Sequence, residues 1–345
     1  MRQVLQTLAA LAAFGAVGAV GVVGFGLYNV SARQGHLPGV GIVLHTTFKQ
    51  SVRLRAPGPE AVPDTIDHPD RIALGAMHFQ TACAFCHSAP GRERSATSRA
   101  MNPPPPHIAE IAAAWQPRHL FWIIREGIKM SGMPAWPVPG HEDEIWSVVA
   151  YLNAVPDMTV NQKSALPGAD MARSTCSDCH GQDGRSTNAF VPRLDILTRE
   201  QIADALFQYR SGARSSGIMA EVAVVLDDDA ITAHATRFGR PDGPDSGGDL
   251  SLGPANEGRA LATRGTDDVP ACIACHGPGR RADAPVAPAL SGQAQQYLAT
   301  QLRLWRAGER GGGKRAETMR KAAQDLSDAN IETLADWFAG LDPAR

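Results

Sequence analysis

The sequence predicts an all-α protein in which three small helical units follow one apolar N-terminal helix. Three observations predict this: apolar residues recur at helical spacing, no segment alternates as a strand would, and one five-residue motif occurs three times. At 345 residues the chain has room for several domains. A unit of about 100 residues is only marginally stable by its own apolar burial, so each unit is expected to need further stabilisation.

The first element is an N-terminal membrane anchor, predicted over residues 1–32. No charged residue lies between Arg2 and Arg33, and this run exceeds the roughly 20 residues that a spanning helix needs. A cleaved secretory signal is the alternative, but its apolar region is normally about 7–15 residues long and ends at a small-residue cleavage site. The longer run favours a retained anchor with its N-terminus in the cytoplasm. Residues 33–62 are rich in turn formers and are predicted to be a loose linker.

The repeated motif is Cys-x-x-Cys-His, and its three copies use every cysteine of the chain. This is the attachment site of a c-type haem, in which two thiols add to the porphyrin vinyl groups and the histidine offers a nitrogen to iron. Tetrahedral zinc would leave one of three pairs stranded, and a thioredoxin-like motif needs no histidine. The sequence therefore predicts three covalently bound haem c groups, which also supply the missing core. The predicted attachment residues are Cys83, Cys86, Cys176, Cys179, Cys272 and Cys275, and the predicted histidine ligands of iron are His87, His180 and His276.

Alignment on the motifs exposes a repeated order of elements. After each motif come a proline-bearing loop, a helix, an Arg-x-Gly turn, a methionine and a closing amphipathic helix. The closing helices are predicted over residues 143–155, 228–238 and 328–341, with Asp227 and Ser327 as N-caps of the last two. We accordingly divide the chain into module one (63–160), module two (161–245) and module three (246–345).

A proline recurs at one interval in two modules. Pro192 lies twelve residues after His180, and Pro288 lies twelve residues after His276. A carbonyl at such a place can accept a hydrogen bond from the ring of the iron-binding histidine and fix its orientation. A loop proline that merely turns the chain is the alternative. In module one the matching proline is ambiguous within the run 103–106.

A methionine lies between the Arg-x-Gly turn and the closing helix of each module. Its thioether suits iron as a sixth ligand and raises the reduction potential, which favours electron transfer; the alternative is a methionine that fills a gap in the core. The predicted ligands are Met133, Met219 and Met319.

Module one offers competing candidates for its sixth ligand. Met130 is the nearest, but the tight loop at Gly132-Met133-Pro134 favours Met133, and we expect Met130 to pack in the core. Three histidines could instead form a bis-histidine site, but they are better explained as ordinary exposed residues. These are His107, His119 and His141.

With these residues in place, all three modules resemble class I cytochrome c domains, which are small helical folds around one haem. Modules two and three are similar to tandem dihaem cytochromes c through residues 209–212 (Tyr-Arg-Ser-Gly) and 289–293 (Ala-Leu-Ser-Gly-Gln). Module one resembles membrane-anchored monohaem cytochromes c through residues 127–136. The resemblance covers nearly everything from residue 64 to 342 and implies one class I cytochrome c fold per module. Module two departs from the pattern because only about residues 168–175 precede its haem motif, which is too short for a full N-terminal helix.

These inferences predict an electron carrier with no catalytic residue. Covalent haem attachment occurs outside the bacterial cytoplasm, so the modules are expected in the periplasm, tethered to the inner membrane. The chain would relay single electrons from a dehydrogenase or quinol-linked donor to a terminal oxidase or soluble acceptor. Its resemblance to cytochrome subunits of periplasmic dehydrogenases and to modules feeding terminal oxidases implies such partners.

Two other function classes remain as alternatives. A peroxidase-like haem enzyme would need one module without a sixth ligand, and a structural subunit of an oxidase or dehydrogenase complex would use its haems partly for folding. The net charge of −2 gives no sign of a nucleic-acid partner. The sequence also carries no nucleotide, flavin or catalytic-triad signature.

Overall fold

The computed structural model describes residues 1–129, 131–158, 176–241, 256–277, 287–313 and 315–343. Within these ranges the chain is helical and forms no strand, apart from isolated bridges between Thr198 and Arg240 and between Arg214 and Gly311. The predicted all-α fold is therefore confirmed. Met130, the start of module two and the turn-rich segment before module three lie outside the described residues.

The helices follow the predicted order. Before module one lie α1 (Arg2–Gly24) and α2 (Val40–Arg55). Module one contains α3 (Pro69–His78), a π-helical turn (Phe79–Cys83), α4 (Ala84–His87), α5 (Ala96–Ala100), α6 (Ile108–Ala114), α7 (Pro117–Glu126) and α8 (Glu142–Ala154). Module two contains α9 (Cys176–His180), α10 (Arg199–Arg210), α11 (Gly217–Ala223) and α12 (Asp228–Phe238). Module three contains α13 (Glu257–Arg264), α14 (Ile273–His276), α15 (Gln295–Ala307), α16 (Ala316–Ala323) and α17 (Asp328–Ala339).

The N-terminal helix α1 is long and apolar enough to cross a membrane, with 23 residues and a mean hydropathy of 2.0 in its most apolar window. None of its residues is buried against the rest of the chain. A signal sequence shares these properties, so length and composition alone do not separate an anchor from a leader.

The segment 33–62 differs from the predicted loose linker because it contains α2. Val52 of this helix is fully buried and Phe48 meets Trp115 edge to face at 5.6 Å between ring centroids, so the second half of α2 packs on module one. The turn-forming prolines lie on either side of α2, and between residues 42 and 55 there is neither glycine nor proline to break a helix.

In modules one and three, the helix before the haem motif crosses the closing helix at a glycine. A Cβ atom on Gly75 of α3 would lie 1.8 Å from the carbonyl oxygen of Ser147 of α8. A Cβ on Gly258 of α13 would lie 2.5 Å from the carbonyl oxygen of Thr333 and 2.7 Å from Cβ of Trp337, both on α17. Only a residue without a side chain permits so close an approach.

The Arg-x-Gly turns have a shared structural role. Arg210 donates to the carbonyl of Leu226 at 2.9 Å and pairs with Asp228 at 2.6 Å. Arg306 makes the matching contacts with Leu326 at 2.8 Å and Asp328 at 2.7 Å. In module one Arg125 reaches Glu142 at 3.4 Å. Each arginine thus joins the end of one helix to the beginning of the closing helix.

The predicted N-caps of the closing helices are confirmed. The carboxylate of Asp227 accepts a hydrogen bond from the backbone N–H of Ala230 at 2.8 Å, and the hydroxyl of Ser327 accepts from that of Asn330 at 3.1 Å. These contacts satisfy amide groups that the first turn of a helix leaves without a partner.

The crossing of α13 and α17 predicts that Gly258→Ala lowers the free energy of unfolding by about 1–3 kcal/mol, because the added methyl group overpacks the contact. Denaturant unfolding of the full chain, followed by tryptophan fluorescence, measures the change. The control is Gly41→Ala in α2, where a Cβ meets nothing within 4 Å. Equal stability of both variants would show that the crossing tolerates a side chain.

Candidate haem sites

Module two places its predicted ligands around one space, which we call site two. Helix α9 carries Cys176, Cys179 and the buried His180, while α11 carries Met219. Met219 packs against the apolar cluster of this module, which is built by α10 and α12. The backbone N–H of Met219 donates to the hydroxyl of Ser216 at 3.0 Å, so the N-cap of α11 fixes the methionine backbone.

Module three repeats this arrangement at site three. Cys272 lies at the N-cap of α14, which ends at His276, and Met319 lies on α16. Cys272 and Met319 pack against the same apolar cluster, to which α13, α15 and α17 contribute.

Each motif histidine is oriented by a proline carbonyl. The Nδ1 atom lies 3.0 Å from the Pro192 oxygen for His180 and 2.8 Å from the Pro288 oxygen for His276. Both predicted contacts are therefore present. Module one has the same bond, 2.9 Å from Nδ1 of His87 to the Pro106 oxygen, so Pro106 is the matching proline there.

These bonds select the tautomer that an iron ligand needs. A carbonyl only accepts, so Nδ1 must carry the proton, and the lone pair of Nε2 is left for a metal. Burial lowers the pKa of all three histidines, and the proline hydrogen bonds oppose part of that shift. A lowered pKa keeps the imidazoles neutral, which is the ligating form.

Sites two and three open into one cavity of about 2290 Å³. Its walls are mostly apolar side chains of α10, α12, α15 and α17. The predicted ligands and attachment residues that line it are Cys176, Cys179, His180, Met219, Cys272, Cys275, His276 and Met319. The fold thus brings all eight predicted residues of these two modules to one space.

Site one, in module one, lies outside this cavity. Cys83 packs on the module core together with Trp136, three residues after Met133. The Met133 loop folds back on the end of α7, since the N–H of Ile128 donates to the Met133 oxygen at 3.1 Å. Burial, and then the neighbouring Cys86 and Glu221 of α11, raise the pKa of Cys83 to about 12. Trp136 also packs on the backbone of Gly217, so site one lies beside α11, the helix that carries Met219.

Module two touches both neighbours. Sγ of Cys179 lies 3.4 Å from Sδ of Met77, on α3 of module one. On the other side, the side-chain oxygen of Gln293 in module three accepts from the backbone N–H of Arg193 at 2.7 Å. Among the described residues, module two thus contacts both other modules, and module one also meets module three, where a Cβ on Gly140 would lie 2.5 Å from Cδ of Glu309.

Two half-buried arginines lie where the modules meet. The guanidinium of Arg214 lies over the ring of Tyr209 at 4.5 Å, and that of Arg310 lies over Trp305 at 4.5 Å. Burial, and then the like charge of Arg214, lower the pKa of Arg310 to about 10. Burial, followed by these two arginines, lowers the pKa of His141 to about 4. We call the place where Arg214, Arg310 and His141 meet the cationic junction.

The two arginines of the cationic junction show whether the cavity suits haem. Arg214 and Arg310 line the cavity. Arg214 donates to the hydroxyl of Tyr297, and Arg310 donates to the side chain of Gln301 and to the Gly311 carbonyl. Among the described residues, neither arginine forms an ion pair with a carboxylate. Haem carries two carboxylates besides its apolar ring. The cavity fits haem. Its apolar walls suit the ring, its thiols, imidazoles and thioethers suit attachment and iron, and its half-buried guanidinium groups suit the carboxylates.

Two sequence expectations about histidines are wrong. His119 and His141 are buried, with 8% and 4% of their surface exposed, whereas the sequence suggested exposed residues. The rings of His119 and Trp115 meet edge to face at 5.7 Å between their centroids, and His141 faces the cationic junction. His107 is partly exposed and its Nε2 lies 2.9 Å from the Arg92 oxygen.

Sequence reasoning also missed Arg214 and Arg310. A signal was available, because both follow the Arg-x-Gly turn at one spacing, as Arg-x-Gly-x-Arg in modules two and three. Glu144 and Trp136, which contact module two, carry no such signal.

Two protein-family models match separate parts of the chain. A family model described as cytochrome c oxidase, cbb3-type, subunit III matches residues 70–152. A model described as cytochrome c matches residues 255–342.

Individual relatives cover about half of the chain. The thiosulfate dehydrogenase electron acceptor of Stutzerimonas stutzeri is 35% identical over 179 residues, which are 50% of this chain and 82% of that protein. Cytochrome c4 of Thiocapsa roseopersicina is 30% identical over 178 residues, 50% of this chain and 91% of the relative. The crystal structure of reduced cytochrome c4 from Pseudomonas stutzeri aligns with a TM-score of 0.42 and 30% identity, over 48% of this chain and 93% of that one.

Proposed function

The chain belongs to the cytochrome c family of electron-transfer proteins, and from this premise we propose that it is a membrane-anchored relay with three covalent haems. The observation that carries the proposal is the contiguity of the sites. Sites two and three share one cavity, and Trp136, which packs with Cys83 at site one, rests on the helix that bears Met219.

In each module, different residues would attach the haem, bind its iron and orient the iron-binding histidine. The paired cysteines would form the covalent attachment and the histidine and methionine would bind the iron, while a proline carbonyl orients the histidine. Bound haem supplies an iron that changes oxidation state by one electron. Arg214 and Arg310 would hold haem carboxylates at the cationic junction, and the helices around the cavity exclude water.

The contacts between modules support an order of transfer. Site two shares a cavity with site three, and its helix α11 contacts Trp136 of module one, so we place site two between the other two sites in the relay. Module one matches the subunit III model of cbb3-type oxidase and follows the apolar helix α1. We therefore assign module one to the membrane and oxidase side, and modules two and three to the side that receives electrons from a periplasmic dehydrogenase.

The segment before module one supports attachment to a membrane surface. In α2 the first turns expose Ile42, Val43 and Leu44, and the later turns expose Lys49 and Arg53. No acidic residue precedes Glu60. Apolar residues followed by cations suit the boundary between acyl chains and anionic headgroups.

The name of the Stutzerimonas stutzeri relative suggests the donor to test. We expect the full chain in detergent to be reduced by thiosulfate in the presence of a thiosulfate dehydrogenase, and to be reduced much more slowly by thiosulfate alone. Stopped-flow absorbance of the haem bands measures both rates. Equal rates with and without the dehydrogenase would exclude this donor. Fast carbon monoxide binding by the unaltered reduced chain would instead favour an enzyme with an open iron.

A further inference from the structure

A carboxylate of module one is buried against the methionine helix of module two. Glu144 lies in the first turn of α8, with 8% of its surface exposed. Its Oε2 accepts a hydrogen bond from the backbone N–H of Gly217 at 2.7 Å, and its Oε1 accepts one from the hydroxyl of Ser216 at 2.5 Å. Glu144 thus binds the N-terminus of α11, 72 residues further along the chain.

Ser216 connects this carboxylate to the methionine backbone. Its hydroxyl accepts the N–H of Met219 at 3.0 Å while it donates its own proton to Glu144. Hydrogen bonds in such a chain polarise and strengthen one another. A displacement of Glu144 would therefore shift the Ser216 hydroxyl and, with it, the backbone of Met219.

Trp136 holds the same turn from another direction. A Cβ on Gly217 would lie 2.5 Å from Nε1 and 2.7 Å from Cε2 of Trp136, so the indole rests on the Gly217 backbone. Trp136 follows Met133 by three residues and is fixed to α7 by its backbone N–H, 3.1 Å from the Arg125 oxygen. The methionine loops of modules one and two are thus in direct contact.

The contact is specific rather than a general packing surface. A carboxylate buried without partners is costly, and here it is satisfied by donors from module two. Burial, and then the like charge of Asp143, raise the pKa of Glu144 to about 8, and the hydrogen bonds from Ser216, Gly217 and Ile218 oppose this rise. The first N–H groups of α11 have no carbonyl partner within the helix, and here Glu144 and Ser216 accept their hydrogen bonds.

We propose that Glu144 is a positioning residue for Met219, so that site two acquires its sixth ligand only when module one is docked on it. This inference rests on the assignment of Met219 under the proposed function. It makes module one part of the haem site of module two, in addition to its own electron-carrying role.

The test compares Glu144→Ala and Ser216→Ala with the control Glu142→Ala in the full haem-loaded chain. Glu142 lies in the same turn of α8 but is exposed and faces Arg125 at 3.4 Å. We expect Glu144→Ala to lose the near-infrared His–Met band of one haem in three and to bind carbon monoxide at that haem. Ser216→Ala should weaken the same band, and Glu144→Gln, which can still accept from Gly217, should restore most of it.

The double variant Glu144→Ala, Ser216→Ala should be no worse than Glu144→Ala alone, because both changes break one hydrogen-bonded chain. The proposal is overturned if Glu144→Ala and Ser216→Ala both keep the full band and bind no carbon monoxide, as the control does. If Glu144→Ala and Ser216→Ala each lose only part of the band, additive losses in the double variant would also contradict it. If the unaltered chain lacks a His–Met band for site two, the ligand assignment itself has failed, which is a different outcome.

Discussion

The Met219→Ala variant is expected to bind one carbon monoxide per chain, whereas the unaltered reduced chain binds none. Without the thioether, iron at site two keeps only His180 and an open position. The reduction potential of that haem should also fall, since methionine ligation raises it. Carbon monoxide titration of the reduced chain, together with the near-infrared spectrum of the oxidised chain, measures both the opening and the lost band.

A second methionine in the same cavity provides the matched control. Met77 lines the cavity, and its sulfur lies 3.4 Å from Sγ of Cys179, but we do not assign it to iron. Met77→Leu should keep all three haems closed to carbon monoxide. The assignment is wrong if Met77→Leu opens a haem and Met219→Ala does not.

The Arg310→Met variant is expected to lower the reduction potential of at least one haem by tens of millivolts. A nearby positive charge stabilises ferrous iron over ferric iron, because the ferrous form carries less positive charge. Arg310 is half-buried in the cationic junction, where burial lowers its pKa and solvent screens its charge less than at the open surface. Methionine has similar length and no charge, so the change removes the electrostatic contribution while it keeps most of the packing. Spectroelectrochemical titration of the full chain measures the potentials.

Arg303→Met is the control for this prediction. Arg303 lies on the same helix α15, but it is exposed and pairs with Glu332 at the surface, where solvent and salt screen its charge. Its loss should leave the potentials nearly unchanged. Equal shifts in both variants would show that the effect comes from net charge and not from the cationic junction.

The parts of the sites that could be predicted from sequence depend on local signals. The Cys-x-x-Cys-His motifs fix the order of attachment residues, and the shared interval to Pro192 and Pro288 identified carbonyls that do contact the histidines. The caps Asp227 and Ser327 were predictable because a cap acts within one turn of its own helix. Pro106 was not, because it lies nineteen residues from His87 and a run of four prolines offers no distinguishing spacing.

The contacts between modules could not be predicted in this way. Glu144 resembles any acidic residue of a first helical turn, where it would favour the helix dipole while exposed. Its burial depends on the docking of module two, whose partner residues lie 72 and 73 positions away. The burial of His141 has the same origin, since the arginines that face it belong to modules two and three. Such positions are set by tertiary packing and leave no periodic trace in the sequence.

The central claim is that one chain carries three covalent haems, each with histidine and methionine on iron. The most direct measurement is the intact mass of the full chain matured in a bacterial periplasm, followed by a reductive titration of the same sample. The account predicts the polypeptide mass plus three haems, three electrons taken up per chain, and a His–Met band from every haem. A mass with two haems or fewer, or a motif whose thiols remain free, would contradict it.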